Sequence, residues 1–444
     1  MNIEIKNLND FFKEKSLKII EFFILALVLF YFLIPQFVYS QQTISVDFSK
    51  KVQKKESIAG FLHFNDLTPL DKNIRTLKPR YWRVGNALHD KTKRTQQIKL
   101  LHSYHITPIL VLTDFFAGTE DNWGKPFLKQ QKFSDLVKNL YLENGNQVIY
   151  DLWNEPDTDS WGGSQEQFFQ TFKIAHDVIR SLPGGKNAVI TGPGTSRFNE
   201  DFIMNFLKYC NSNNVRVDIL NWHEGGILKD VLNVQTNIRT AEKWIKEFPK
   251  VGIKKIFIPE ILWHTEQFNP AAVFAYLYVI EKNGASGACK TCWDTPAEFG
   301  GNTCWNNSMD GILDPQGNTR SVWWAYKLYA DSLDKRLTSS STESIMNIPY
   351  LDSDNNFSMI ITNISHVDLA KLDIDLKNMN SGIINRNGSQ TLKLYEITNT
   401  NEKPLKSPKL LFEIPFSLSS NNKIIHLKNI AYNKMYYLLV SKRK

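Results

Sequence analysis

The chain has 444 residues, 42% of them hydrophobic, and 53 Lys+Arg against 45 Asp+Glu give a formal net charge of +8. That is too apolar and too mixed for a disordered or low-complexity protein, and long enough for one large domain plus a smaller one. The basic residues form no run of the kind that docks on nucleic acid, so no nucleic-acid partner is expected; the unusual figure is 12% aromatic residues with 11 Trp.

At the N-terminus, residues 22–34 (FFILALVLFYFLI) form an uncharged apolar run, followed by Pro35 and the small Ser40 ahead of Gln41-Gln42. The pattern reads as a signal peptide cleaved after Ser40, with an uncleaved membrane anchor drawing on residues 19–39 as the alternative. Residues 1–40 add no net charge, because Lys6, Lys13, Lys15 and Lys18 offset Glu4, Asp10, Glu14 and Glu21. Export implies a secreted or extracytoplasmic, oxidising environment, so the four cysteines are read as disulfide candidates. Cys289, Cys292 and Cys304 cluster while Cys210 stands apart, and a bridge from Cys304 to either Cys289 or Cys292 is expected.

From residue 58 to about 335, short β-like runs alternate with amphipathic stretches, as parallel strands with crossover helices do. The eight predicted strands are 58–64, 81–85, 106–113, 148–153, 188–191, 217–222, 255–259 and 287–293. Amphipathic helices fit between them, for example 165–182, with apolar Phe168, Phe169, Phe172, Ile174, Ala175, Val178, Ile179 and Leu182. The fold class is therefore α/β, a (β/α)8 TIM barrel over residues 41–337. A doubly wound open sheet is the rival, without a Gly-rich phosphate loop to support it. Beyond the Ser/Thr-rich segment 338–342, short strands at 359–362, 369–376, 392–397, 424–427 and 436–440 predict a small C-terminal β-sandwich over 338–444, read as a packing accessory to the barrel.

The informative chemistry lies at two strand ends. Residues 148–157 (VIYDLWNEPD) end a hydrophobic strand in Asn154-Glu155-Pro156, and 255–260 (KIFIPE) deliver Glu260. In a barrel both carboxylates reach the C-terminal lip, where active sites are built. Facing carboxylates suit glycosidic cleavage: one protonates the leaving oxygen and the other attacks the anomeric carbon. Asn154 is placed to hydrogen-bond a sugar 2-hydroxyl, and Arg83, near the end of the second strand, to favour an ionised nucleophile.

Trp153-Asn154-Glu155-Pro156 resembles the acid/base motif of the (β/α)8 glycoside hydrolases with catalytic glutamates on strands four and seven. The downstream order Thr191-Gly192-Pro193-Gly194, residues 201–210 and residues 217–223 is similar to glycoside hydrolase family 39, in a likeness covering roughly residues 58–337. The resemblance implies a retaining clan A glycosidase with Glu155 as acid/base, Glu260 as nucleophile, Asn154 beside the acid and His223 at the end of strand six. It departs from the family pattern at Ile261, at Glu224-Gly225-Gly226 and at Gly85-Asn86.

Trp123, Trp161, Trp222, Trp263, Trp293 and Trp305 fall at strand ends or in the following loops, where a sugar's C–H face can stack on an indole. Trp161, Trp263 and Trp293 join Arg83, Asn154 and His223 as candidate substrate-binding residues, with Trp293 as a floor for the reacting sugar. Trp82, Trp153, Trp244, Trp323 and Trp324 read as core. No metal and no cofactor is expected: His223-Glu224 with His264 and Glu266 lacks ligand spacing, and Glu224 reads as a solvated loop charge. The sequence thus describes an exported retaining glycoside hydrolase acting on a polysaccharide or oligosaccharide. The rival from another class is a catalytically inactive carbohydrate-binding or cell-surface scaffold on the same barrel.

Overall fold

The computed structural model describes residues 41–62, 66–85, 91–116, 125–292, 307–340, 342–384 and 389–443, of which residues from 42 onward belong to one unit. Its first strand, β1 (Gln41–Asp47), differs from expectation: it lies in the sandwich, between two of that domain's strands, and not in the barrel. Alternation explains the placement, since Ile44 and Val46 are fully buried in the sandwich core while Gln41 and Thr43 face outward.

Eight parallel strands close the barrel in chain order: β2 (Ala59–Leu62), β3 (Tyr81–Val84), β4 (Thr107–Val111), β5 (Ile149–Asp151), β6 (Val189–Thr195), β7 (Ile219–Trp222), β8 (Lys255–Ile261) and β9 (Ala288–Lys290). Closure is made by β2 pairing with β9, Ala59 opposite Ala288. Because successive side chains point to opposite faces, each strand feeds two cores. Tyr81, Ile109, Ile149, Ile219, Phe257 and Cys289 fill the barrel interior, while Trp82, Leu110, Tyr150, Leu220 and Ile258 pack outward against the helices. Two residues further along, the inward positions turn polar: Arg83 above Tyr81, Asp151 above Ile149 and Asn221 above Ile219, all buried. The barrel is thus plugged by an apolar layer with a charged layer on top, facing the C-terminal mouth.

The crossover helices form for local reasons. Helix Gln165–Ser181 starts in a capping box between Ser164 and Gln167 and buries Phe168, Phe169, Phe172, Ala175 and Ile179. Asn199 caps Glu200–Ser212, and Asn269 caps Pro270–Lys282 with proline at its first turn. Among the described residues no helix is long and apolar enough to cross a membrane, and the apolar run 22–34 lies outside them.

The C-terminal part is an all-β sandwich. Strands β10 (Thr338–Ser339), β11 (Ile345–Leu351), β12 (Phe357–Asn363), β13 (Leu369–Lys377), β14 (Gln390–Ile397), β15 (Lys409–Phe416), β16 (Lys423–Ile430) and β17 (Met435–Lys442) complete it. One sheet has the order β10-β1-β13-β16 and the other β11-β12-β17-β14-β15. All five predicted strands fall inside observed ones, while β10, β11 and β15 were not anticipated. The five-stranded sheet turns one face to its partner sheet, and its Tyr350, Ile360, Ile397 and Met435 join the core around the barrel.

Candidate active site

Glu155 stands just beyond β5 in an unusual conformation. Its φ is +51°, which a non-glycine residue adopts at a cost of order 1 kcal/mol, and its N–H donates to the Gly194 carbonyl at 2.8 Å. Gly194 at the end of β6 has φ +75°, and a Cβ there would come within 2.5 Å of the Trp153 carbonyl oxygen. Close backbone approach between these two loops therefore aims the Glu155 carboxylate over the mouth. Opposite, β8 slips register between Ile258 and Ile261, and the Glu260 carbonyl accepts from the Glu224 N–H at 2.9 Å. The slip breaks strict alternation and lets Glu260 turn toward the mouth.

Arg83 and His223 tie the two carboxylates together. Arg83, 1% exposed, donates to Glu260 Oε1 at 2.6 Å, to Asn154 Oδ1 at 2.9 Å and to Asp151 Oδ2 at 3.2 Å. The other Asp151 oxygen accepts from Asn221 at 3.3 Å, and the Asn154 N–H is held by Thr113 Oγ1 at 2.7 Å. His223 Nδ1 is 3.0 Å from Glu155 Oε1 and 3.6 Å from Glu260 Oε2, and Nε2 is buried without a hydrogen-bond partner. Ligating atoms of Glu155, His223 and Glu260 all lie within 4.8 Å of one another.

The electrostatics follow from this geometry. Burial pushes His223 down, but the Glu260 charge and the bond to Glu155 outweigh it and hold the imidazole above its ordinary value. Burial pushes Glu155 up, yet the bond and charge of His223, with Arg83 behind, bring it below the ordinary carboxylate value. Asp151 moves the other way: burial raises it in spite of Arg83 and His223. These opposite shifts favour a protonated His223 beside an ionised Glu155.

Of the sequence-predicted residues, Glu155, Glu260, Asn154, Arg83 and His223 are brought together in one cluster. Asn154 gives its Oδ1 to Arg83, which leaves its Nδ2 facing no partner among the described residues. Trp161 is corrected: it is 1% exposed, wedged between Phe127, Trp153 and Phe168, with Nε1 donating to the Ser164 carbonyl at 3.0 Å. A loop residue is drawn into the core here because its indole has both an aromatic nest and a polar partner. Trp222 is likewise buried, against Phe198. Trp263 is 39% exposed, beside Gly225, while Trp123, Trp293 and Trp305 lie outside the described residues.

Glu224 is no solvated charge. Its Oε1 accepts from Trp222 Nε1 at 2.6 Å and Asn237 Nδ2 at 2.9 Å, and burial lifts the carboxyl to about 7. Glu266 bonds Asn269 instead of joining Glu224 and His264 in a ligand set. The one metal-like grouping among the described residues, Glu155-His223-Glu260, already has the Arg83 cation against Glu260, a neighbour that repels a second cation. Cys210 and Cys289 are buried free thiols, which removes Cys289 from the expected bridge; Cys304 lies outside the described residues.

Sequence reasoning missed Asp151, Asn221 and Thr113. The available signal was Asp151 itself, a charge inside the strand run VIYD on the same face as Ile149.

One family model and three known proteins show what the chain is similar to. The model described as Glycosyl hydrolases family 39 matches residues 123–274, a span that contains both Glu155 and Glu260. A monomeric β-xylosidase from Caulobacter crescentus CB15 superposes with a TM-score of 0.69 at 14% identity, covering 91% of this chain and 100% of that one. A family 39 enzyme from Xanthomonas axonopodis pv. citri gives 0.68 at 13% identity, covering 93% of this chain and 100% of that one. In sequence, a 3-O-alpha-D-galactosyl-alpha-L-arabinofuranosidase of Bifidobacterium longum subsp. longum is 22% identical over 246 residues, 48% of this chain. The chain spans only 20% of the length of that relative. With the family model lying across the strands that carry both glutamates and the barrel shared with these solved structures, the chain is similar to glycosyl hydrolases of family 39 and has a (β/α)8 barrel.

Proposed function

We propose that this chain is a retaining glycoside hydrolase, with Glu260 as nucleophile and Glu155 as acid/base, acting on a polysaccharide or oligosaccharide. The observation that carries the reading is the approach of the Glu155 and Glu260 carboxylates, whose facing atoms lie within 4.8 Å. Retaining enzymes hold their carboxyl groups about 5–5.5 Å apart, while inverting ones leave about 6.5–9.5 Å for a water. The β-xylosidase and arabinofuranosidase named above make a pentose or related glycoside the first substrate class to try.

In the first step Glu260 attacks the anomeric carbon as the leaving oxygen takes a proton from Glu155, forming a glycosyl ester on Glu260. Crossing the 3.0 Å bond from His223 Nδ1, the stored proton loads Glu155 once substrate displaces water. Water, giving its proton to Glu155, then attacks the same carbon from the other side and frees Glu260. Arg83 orients Glu260 and balances its charge throughout. Asn154 Nδ2 is free to hold the sugar 2-hydroxyl and Trp263 to stack on a more distant ring.

The test is a glycoside panel with product anomer followed by NMR. Glu155→Gln and Glu260→Gln should each lose turnover by about two orders of magnitude or more while remaining folded. Net inversion, or full turnover in either variant, refutes the mechanism; glycan binding without turnover returns the scaffold reading. Export belongs to the same proposal: residues 1–40 as a cleaved signal or anchor, and Cys292 with Cys304 as the disulfide, given that Cys210 and Cys289 are free.

A further inference from the structure

Part of the chain's basic charge is gathered in one place. At the end of the barrel opposite the glutamates, a basin of about 600 Å³ opens between the segments that lead into β2, β3 and β4. Five cations line it, Lys54, Lys55, Arg75, Lys78 and Arg80, against the two carboxylates Glu56 and Asp334. Three of the cations are tied: Arg80 to Glu56 at 2.5 Å, Lys78 to Asp334 at 3.0 Å and Arg75 to Asp71 at 3.0 Å. Lys54 and Lys55 have no carboxylate partner among the described residues, so their charge is uncompensated.

The backbone beneath them is fixed. Lys55 N–H donates to the Leu333 carbonyl at 2.8 Å, and Gln53 N–H to the Arg336 carbonyl at 2.9 Å. The Arg75 guanidinium lies over the Tyr104 ring at 4.9 Å, and the Tyr104 hydroxyl donates to Asp71 at 2.6 Å. The result is a concave surface of lysine and arginine tips beside the Tyr104 ring, within the roughly 300–1,000 Å³ usual for ligand pockets.

We propose that this basin is a second, non-catalytic binding site for an anionic carbohydrate chain, one that carries carboxylates or acidic esters. Lysine and arginine tips meet the acidic groups, and Tyr104 meets ring faces. A basin of about 600 Å³ suits a few sugar residues better than an extended nucleic-acid backbone. The choice of carbohydrate among anions rests on the glycosidase reading. The sugars held here lie at the end of the barrel away from Glu155 and Glu260, so the basin binds them without cutting them.

The experiment is calorimetric titration of full-length Glu260→Gln protein with polygalacturonate oligomers, neutral xylo-oligomers, inorganic phosphate and a short DNA duplex. The same ligands are titrated into Glu260→Gln protein that also carries Lys54→Glu/Lys55→Glu, two exposed positions. The uronate oligomer should bind, and lose about tenfold or more in affinity on the double charge reversal and again on raising salt from about 0.02 to 0.3 M. In the otherwise unaltered enzyme the double reversal should leave turnover of a small chromogenic glycoside unchanged. Uronate affinity indifferent to the two lysines, phosphate bound as tightly as the oligomer, or DNA preferred over uronate overturns the proposal. Turnover without lysine-dependent binding removes this inference alone, and lysine-dependent uronate binding in a chain without turnover keeps the basin and removes the glycosidase reading.

Discussion

Replacing Arg83 by methionine tests how the charged layer of the barrel is held. The guanidinium side chain is 2% exposed and meets Asp151, whose side chain is 1% exposed, and Glu260, whose side chain is 18% exposed. Removing one partner of a buried ion pair costs about 3–5 kcal/mol, because the remaining charge is left without water or counter-ion. Glu260 can turn toward the mouth and hydrate, so most of the loss arises at Asp151. Arg83→Met should therefore lose about 3–5 kcal/mol in urea unfolding at neutral pH, and Asp151→Asn on top of it should return about 1 kcal/mol or more. The pH dependence has a definite sign. Burial already raises Asp151 above its ordinary 3.8, and without Arg83 it rises further. The folded variant then holds a proton that the unfolded chain releases, so its stability falls as pH climbs above about 4. A deficit larger at pH 8 than at pH 5 is expected. A cost below about 1 kcal/mol, no recovery in the double variant, or the opposite pH trend refutes the reasoning.

Glu224, lifted to about 7 from an ordinary 4.5, keeps a proton in the folded state between those two values that the unfolded chain releases, so its contribution to stability declines as pH rises from about 4.5 to about 7. Glu224→Gln preserves the acceptor for Trp222 and Asn237, and thermal melts should show it gaining roughly 1–3 kcal/mol more at pH 8 than at pH 5; equal shifts would sink the assignment. Trp161→Ala should destabilise by about 3–5 kcal/mol, whereas Trp263→Ala should change stability by under about 1 kcal/mol and raise KM; reversed effects would exchange their roles. Gly194→Ala should leave a folded protein with kcat down about tenfold or more, through displacement of Glu155, and an unchanged kcat would show that the loop contact is not what aims the acid.

The barrel was readable because each strand carries its own evidence: a short apolar run such as TPILV, recurring eight times with helical stretches between, is a local pattern. Glu155 and Glu260 were readable for the same reason, each sitting at the end of such a run. The strand β1 was not, because its partners β10 and β13 lie about 300 residues later and pairing at that distance leaves no trace in local composition. Trp161 and Glu224 were misread alike, as exposed loop residues, since nothing nearby in the chain announces the nest around the one or the Asn237 amide beside the other.

The sequence by itself determined the periodicities, and with them the barrel, most of the sandwich strands and the two carboxylates at the lip. Tertiary structure decided what those carboxylates meet: Arg83 from β3, Asp151 from β5, Asn221 from β7 and His223 beyond it. Closing the barrel sets the spacing between the acid and the nucleophile, and burial sets which of their neighbours keeps its proton. Both are sums over residues far apart in the chain, and no local pattern contains them.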